Sequence, residues 1–186
     1  MKRRAALALA AGWPLAHAQA DADAHALLKT GGVVLALRHA LAPGTFDPPE
    51  FRLDDCRTQR NLNDEGRAQA RRIGAALRER ALVPARVRSS PWCRCVDTAE
   101  LAFGRAERWA ALGSPRGREE ATNADSLRQL REALAAVPKG RFEAWVTHMF
   151  VLQDLAGVGT ASGEGLVLDL DASGAVRVRA RLPSPA

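Results

Sequence analysis

The sequence predicts a single α/β domain in which a mostly parallel sheet is flanked by helices. Short apolar runs of strand length alternate along the chain with longer segments whose apolar residues recur at helical spacing. The run at 33–37 (VVLAL) is apolar throughout, which is typical of a strand buried on both faces of a parallel sheet. The length of 186 residues fits one such domain.

The first 20 residues have the pattern of a secretory signal peptide. Three basic residues at 2–4 precede a short apolar segment, and Ala18 and Ala20 supply small residues before the expected cut. The segment is too short and alanine-rich to span a bilayer stably, and an ordinary N-terminal helix is the alternative. Cleavage leaves the domain at 21–186 and lowers the formal net charge from +6 to about +3. We therefore expect a periplasmic protein without a stable membrane span, and the mild charge argues against nucleic acid as a partner.

The first half of the domain continues with a long loop at 41–61, which is rich in Pro, Asp and Arg and has no period. Asn63 is the predicted N-cap of a helix that runs to about residue 80. A short strand at 85–88 follows. Ser90 before Pro91 then predicts the N-cap and first residue of a second helix, which ends near residue 104.

The second half is predicted to be irregular at 105–121 and then to resume the alternation. The expected elements are a helix opened by 122–125 and ended by Pro138, a strand at 142–147, a short helix at 149–156, and a hairpin of strands at 166–170 and 176–182. The last strand alternates apolar residues with arginines. These arginines could contact a phosphate polymer, but the solvated face of an edge strand is the favoured interpretation.

Three cysteines remain after cleavage: Cys56, Cys93 and Cys95. In an oxidising compartment we expect one disulfide and one free thiol. Cys93 and Cys95 are too close in the chain to pair comfortably on a helix, so Cys56 is expected to pair with one of them. A zinc site of three cysteines is the alternative, but it lacks a nearby fourth ligand.

Two histidines occupy equivalent places in the predicted fold. His39 and His148 each follow directly after a buried strand, whereas His17 lies in the leader and His25 in an N-terminal segment predicted to be mobile. Ligands of open α/β sheets bind at the carboxyl ends of the strands. Arg38 precedes the first of these histidines, and Arg94 lies in the first turns of the helix after the 85–88 strand. Free backbone N–H groups favour an anion there, so the sequence predicts a phosphate pocket with a nucleophile in it.

The residues of this pocket resemble the signatures of the histidine phosphatase superfamily, which has the phosphoglycerate mutase-like fold. Residues 37–40 (LRHA) resemble the arginine–histidine–glycine signature of this superfamily. Residues 61–70 (NLNDEGRAQA) resemble the start of the helix that follows this signature in the superfamily. Its second arginine segment resembles 89–99 (SSPWCRCVDTA), and its second histidine segment resembles 146–148 (VTH). The leader and the cysteine surroundings resemble the exported branch that includes the Ais-type lipopolysaccharide core heptose phosphatases.

The resemblance implies a three-layer sandwich and a role for each pocket residue. His39 would attack phosphorus and become transiently phosphorylated, while Arg38, Arg94 and His148 would bind the phosphate oxygens. No metal or other cofactor is expected. The general acid is less clear. Glu119 and Glu120 lie where the superfamily places a carboxylate, although both could equally be solvated loop residues, and Asp55 is a reserve candidate.

The sequence therefore predicts a secreted, metal-independent phosphomonoesterase. A phosphate- or phosphosugar-binding protein without activity is the main alternative. A metallohydrolase is a weaker one, since the sequence offers no third histidine or paired carboxylate for it. The substrate is expected to be a phosphorylated anionic small molecule or a lipopolysaccharide core sugar. Arg52, Arg57 and Arg60 make the long loop basic, which suits a multiply anionic sugar, but solvated arginines are equally consistent with this pattern. The sequence does not indicate an oligomeric state.

Overall fold

The computed structural model describes residues 23–116 and 119–185, so the predicted signal peptide lies outside the described residues. Six strands form one sheet: β1 (Val33–Arg38), β2 (Arg86–Ser89), β3 (Glu107–Arg108), β4 (Phe142–Thr147), β5 (Gly165–Leu170) and β6 (Val176–Leu182). The helices are α1, which includes 23–30, α2 (Asp64–Glu79), α3 (Cys93–Phe103), α4 (Glu120–Ala135) and α5 (Met149–Ala156). Two single 3₁₀ turns lie at Cys56–Thr58 and Ala110–Leu112.

The strand order β3-β2-β4-β1-β5-β6 confirms the predicted mostly parallel sheet. β1 pairs in parallel with β4, β4 with β2, and β2 with β3, whereas β5 and β6 add an antiparallel hairpin at one edge. The register of the central pair places Arg38 opposite Thr147. The residues that follow these two are His39 and His148, so strand pairing alone brings both histidines to the same edge of the sheet.

The sheet is buried on both faces, as the apolar β1 run predicts. Leu35 and Leu37 pack on one face with α1, α2 and α3, and Val34 and Ala36 pack on the other with α4 and α5. Alternate residues of one strand thus enter two separate cores. The result is the expected three-layer sandwich. Among the described residues, no helix is long and apolar enough to cross a membrane.

Glycines in α2 let two segments approach it closely. A side chain at Gly66 would overlap the carbonyl oxygen of Leu41, and one at Gly74 would overlap that of Ala102. The first contact seats the chain just after His39 against the start of α2. The second packs α2 against α3, so these glycines fix the two helices beside the sheet edge that carries the histidines.

Three local predictions are wrong. α3 begins at Cys93 with Trp92 as its N-cap, not at Ser90, because the Ser90 hydroxyl is shared between His148 Nε2 at 2.8 Å and the N–H of Trp92 at 3.4 Å. α4 begins at Glu120, and the segment predicted to be irregular before it contains β3 and a 3₁₀ turn. The N-terminal segment predicted to be mobile is helical from residue 23, where Ala24 and Leu28 enter the core.

The arginines of β6 lie on the exposed face of an edge strand, as the favoured interpretation predicts. Arg177 and Arg179 form ion pairs with Asp169, and Arg181 pairs with Glu164. Since carboxylates of the neighbouring elements already neutralise these charges, the row is poorly suited to a phosphate polymer.

Candidate active site

A cavity of about 410 Å³ lies at the carboxyl ends of β1, β2 and β4. Its lining includes all four residues that the sequence assigns to phosphate binding: Arg38, His39, Arg94 and His148. The topology explains this meeting, because each of them ends or follows one of three neighbouring parallel strands. Residues up to 110 positions apart in the chain thus share one site.

His39 is 2% exposed and has a defined tautomer. Its Nδ1 lies 2.8 Å from the carbonyl oxygen of Ala40, and since a carbonyl only accepts, Nδ1 carries the proton. The lone pair of Nε2 is then free. Burial, with a further contribution from the charge of Arg94, lowers the pKa of His39 to about 3. The ring is therefore neutral and nucleophilic at pH 7.

His148 lies with its ring centroid 5.6 Å from that of His39. Its Nε2 is 2.8 Å from the Ser90 hydroxyl, and its Nδ1 faces Arg94 Nη2 at 3.4 Å. A guanidinium only donates, so Nδ1 is the accepting nitrogen and Nε2–H donates to Ser90. Burial, followed by the neighbouring His39 and Arg94, lowers the pKa of His148 well below its usual value.

Three guanidinium groups surround the histidines. Arg38 donates from Nη1 to the Thr160 carbonyl at 2.7 Å, and Arg60 donates to the carbonyl of Ala42. The Nε atoms of Arg38, Arg60 and Arg94 are buried and have no hydrogen-bond partner among the described residues. A buried N–H without an acceptor is costly, so these groups favour an anion in the cavity. Burial, followed by repulsion from Arg94, lowers the pKa of Arg38 and of Arg60.

Asp47 is a carboxylate in the cavity that the sequence did not predict. Its Oδ1 accepts from Arg94 Nη1 at 2.8 Å and from the backbone N–H of Arg60 at 3.0 Å, and its Oδ2 accepts from Trp92 Nε1 at 3.2 Å. The carboxylate therefore fixes Arg94 and joins the long loop to the start of α3. With both oxygens engaged by donors, Asp47 is suited to positioning and not to proton donation.

Arg60 and Asp47 were missed as site residues for different reasons. Arg60 directly precedes the α2 start motif, so its place near the sheet edge was a usable signal. Asp47 lies in the loop without a period, and its partner Arg94 is 47 residues away. Only the fold brings these two side chains together.

The predicted proton donors lie outside the cavity lining. Glu119 occupies the N-cap position of α4 without a side-chain capping hydrogen bond, Glu120 is the first residue of the helix, and both are exposed. They follow the lining residue Arg116 closely in the chain. Asp55 also lies outside the cavity lining, and its hydrogen bonds with Arg57 lower its pKa to about 2.

The basic loop is only partly directed at the cavity. Arg52 and Arg57 form ion pairs with Asp55 and are exposed, whereas Arg60 lines the cavity. The predicted N-terminal amides of α3 are also partly occupied, since the N–H of Cys93 donates to Gln59 Oε1 at 3.0 Å. The cationic groups that line the cavity are thus chiefly guanidinium groups.

A disulfide ties the long loop to the site. Cys56 is bonded to Cys93, the first residue of α3 and the neighbour of Arg94. Cys95 is the free thiol and is buried, and burial raises its pKa to about 12. The Cys56–Cys93 bond decides between the two predicted pairings of Cys56, with Cys93 or with Cys95. Within residues 23–116 and 119–185, no three His, Cys, Asp or Glu side chains are grouped so that they could hold a metal ion.

The sequence of one segment matches a known family. Residues 38–113 match the model of the histidine phosphatase superfamily, branch 1. The matched segment contains His39, Asp47, Arg60 and Arg94, whereas His148 lies beyond it. A comparison with curated proteins found no match.

Solved structures similar to this chain are phosphatases of several kinds. The protein histidine phosphatase SixA complexed with tungstate is 20% identical, with a TM-score of 0.53 over 81% of this chain and 96% of that chain. A mutant phosphoserine phosphatase from Entamoeba histolytica in complex with phosphoserine is 12% identical, with a TM-score of 0.56 over 80% and 95%. A mycobacterial glucosyl-3-phosphoglycerate phosphatase is 16% identical, with a TM-score of 0.54 over 83% and 99%. The chain therefore has the histidine phosphatase fold, which by itself does not fix a substrate.

Proposed function

We propose that the chain is a member of the histidine phosphatase superfamily and a metal-independent phosphomonoesterase that works through a phosphohistidine intermediate. The observation that carries this proposal is the free Nε2 lone pair of His39 within a ring of three arginines. A neutral imidazole is a competent nucleophile, and the guanidinium groups neutralise a phosphate dianion that would otherwise repel its attack.

The reaction then proceeds in two displacements. The phosphate oxygens bind Arg38, Arg60 and Arg94, and Nε2 of His39 attacks phosphorus as the bond to the ester oxygen breaks. The leaving oxygen takes a proton from the general acid and departs as the alcohol. Water then gives a proton to that carboxylate as it attacks phosphorus, the bond to Nε2 breaks, and inorganic phosphate, neutral His39 and the protonated acid are restored.

His148 supports the same charge. Burial is the first cause of the low pKa of His148, and His39 and the neighbouring arginines lower it further. A bound phosphate dianion reverses the sign of the local field and favours protonated His148, which then donates to a phosphate oxygen. Asp47 holds Arg94 in place to bind the phosphate, through the 2.8 Å ion pair between the two side chains.

A proton donor for the leaving group is proposed from Glu119 and Glu120, at the start of α4. Neither lines the cavity, and Asp47, which does, is engaged with Arg94 and Trp92. The absence from the described lining of a carboxylate free to donate a proton is the observation that favours the second candidate function, a phosphate-binding protein without turnover. A metallohydrolase has less support, because the described residues hold no group of His, Cys, Asp or Glu side chains that could bind a metal ion.

Export belongs to the same proposal. The leader pattern points to the periplasm, and the Cys56–Cys93 disulfide supports an oxidising compartment. Within the superfamily, the exported branch that includes the Ais-type enzymes is the proposed relative, and the substrate is a phosphorylated small molecule or a lipopolysaccharide core sugar phosphate.

Binding and turnover measured together decide between the enzyme and the binding protein. We expect the protein to bind vanadate, to release phosphate from 4-nitrophenyl phosphate at neutral pH, and to keep this activity in EDTA. Vanadate binding without any turnover would identify the binding protein. Loss of activity in EDTA would contradict the metal-independent mechanism.

A further inference from the structure

The outer part of the cavity is apolar and rich in rings. Beyond the phosphate-binding residues, its lining includes Phe46, Pro48, Pro49, Phe51, Met149 and Phe150. Nothing in phosphate chemistry requires these residues, so they bear on what the phosphate is attached to.

The same lining offers few hydrogen-bonding groups for a leaving group. Apart from the phosphate-binding residues, Asp47 and its donor Trp92, only Thr45, Ser114 and Arg116 carry a side chain that can form hydrogen bonds. A hydroxyl that loses water without gaining a partner is destabilised. The cavity is therefore a poor match for a polyhydroxylated sugar, so of the two proposed substrate classes the lining favours the phosphorylated small molecule over the lipopolysaccharide core sugar phosphate.

Phe46 and Phe150 form a pair of faces at this end of the cavity. Phe46 is 61% exposed and lies in the cavity wall, so its ring is open to contact with a ligand. The guanidinium of Arg116 lies 4.1 Å from the ring centroid of Phe150 and 5.2 Å from that of Phe46. The rings of Phe46 and Phe150 therefore both pack against a planar group, the guanidinium of Arg116. Arg116 forms no ion pair among the described residues.

We propose that the enzyme acts on phosphomonoesters whose leaving group carries a flat, uncharged aromatic ring, which packs against Phe46 and Phe150. The inference rests on the proposed function, because it assumes that the arginine-lined end of the cavity binds the phosphate. Ring stacking on Phe46, Phe150 and the planar guanidinium of Arg116 stabilises an aromatic leaving group over its whole face, whereas a sugar ring offers only small C–H patches and hydroxyls that this lining leaves without partners.

The test compares benzyl phosphate with glycerol 1-phosphate and glucose 6-phosphate. All three are esters of aliphatic alcohols, so the comparison reports on the leaving group's surface more than on its chemical reactivity. We expect kcat/KM for benzyl phosphate to be about tenfold above the other two, the scale of burying one phenyl face. Phe46→Ala should reduce this preference to about twofold. Val83→Ala, which removes another exposed apolar side chain outside the cavity, should keep the full preference.

Equal kcat/KM for the three esters, or a preference for glucose 6-phosphate, would overturn the inference and leave the proposed phosphatase function standing. An unchanged preference in Phe46→Ala would overturn it as well. Failure of all three esters and of 4-nitrophenyl phosphate to turn over would instead contradict the proposed function, and the inference would fall with it.

Discussion

Asp47 carries the least expected role among the residues of the cavity. It holds Arg94 at 2.8 Å, yet its negative charge also opposes the binding of an anion. Asp47→Asn removes the ionic restraint and that repulsion together. We expect kcat to fall about tenfold while the inhibition constant of inorganic phosphate stays level or decreases, measured by steady-state kinetics.

A double-mutant cycle separates positioning of Arg94 from a general structural effect. In an Arg94→Lys background, Asp47→Asn should add little to the loss of kcat, because the contact is already broken. Multiplicative losses in the double variant would show that Asp47 acts independently of Arg94.

Glu119 and Glu120 make a second prediction about single residues. Replacing the acting carboxylate by Gln should slow esters of poor leaving groups, such as benzyl phosphate, on the order of a hundredfold. The same change should alter 4-nitrophenyl phosphate turnover less than threefold, since that alcohol leaves without a proton. Glu132→Gln, on the exposed face of the same helix, is the matched control. Equal losses on both esters, or none for either Gln variant, would move the acid elsewhere.

The predictability of these residues follows from what each one depends on. Arg38, His39, Arg94 and His148 were predicted because strand ends and local motifs mark them in the sequence. Asp47 and Ser90 act through partners 47 and 58 residues away. Local sequence carries no signal for such pairs.

The disulfide anchors the long loop to α3, since it links the 3₁₀ turn at Cys56–Thr58 to the first residue of the helix. Thiol titration of the denatured wild-type protein should find one thiol per chain, from Cys95. Three thiols would contradict the bond. Replacing Cys56 and Cys93 by Ser should lower the free energy of unfolding by about 4 kcal/mol for a loop of this length, measured by urea denaturation.

The same double variant should also lose activity. Asp47 and Arg60 lie in the long loop between His39 and α2, which the disulfide anchors. Release of this loop should loosen the two hydrogen bonds that Arg94 donates, to the carboxylate of Asp47 and to the carbonyl oxygen of Arg60. We expect kcat/KM for 4-nitrophenyl phosphate to fall several-fold under conditions where the variant is still folded. Full activity in the folded variant would show that the disulfide contributes to stability alone.

Helices and strands were predicted well where a periodic pattern and a terminal signal agree. Asn63 accepts from the N–H of Gly66 and caps α2 as predicted, and Gly157 ends α5. The start of α3 was misplaced because Ser90 and Pro91 form a good local signal. The hydroxyl of Ser90 contacts His148, which directly follows β4, at 2.8 Å.

Stability of the whole molecule should depend on the two buried histidines. The pKa of His39 is about 3, and that of His148 is also low, whereas a histidine in the unfolded chain titrates near 6.5. Below pH 6.5 the unfolded chain therefore binds more protons than the folded one, and stability falls as the pH falls. Between pH 7 and pH 5 each histidine should account for a loss of about 2 kcal/mol.

Urea denaturation at pH 7 and pH 5, without phosphate, measures this loss. His39→Gln should show about half of the wild-type pH dependence, because one buried neutral histidine remains. The same dependence in both proteins would contradict the assignment of His39 as a buried neutral ring.

The sequence predicts that the sheet is mostly parallel, but it does not predict the order of the strands in the sheet. Alternating strands and helices indicated a parallel sheet, and the closing arginine strand indicated a hairpin. The order β3-β2-β4-β1-β5-β6 depends on long-range pairing between strands such as β1 and β4, which no local pattern encodes. The two-residue strand β3 is too short to give a period at all.

Trapping of the phosphoenzyme tests the proposed mechanism most directly. Protein mixed with a phosphorus-labelled aryl phosphate and quenched in alkali during turnover should carry label on His39, up to about one phosphate per chain. The bond should be stable in alkali and labile in acid, as expected of a phosphoramidate and not of a serine ester. His39→Ala should abolish label and turnover together, and His148→Ala should slow turnover on the order of a hundredfold. Normal turnover in His39→Ala, or wild-type turnover with the label on another residue, would contradict the mechanism.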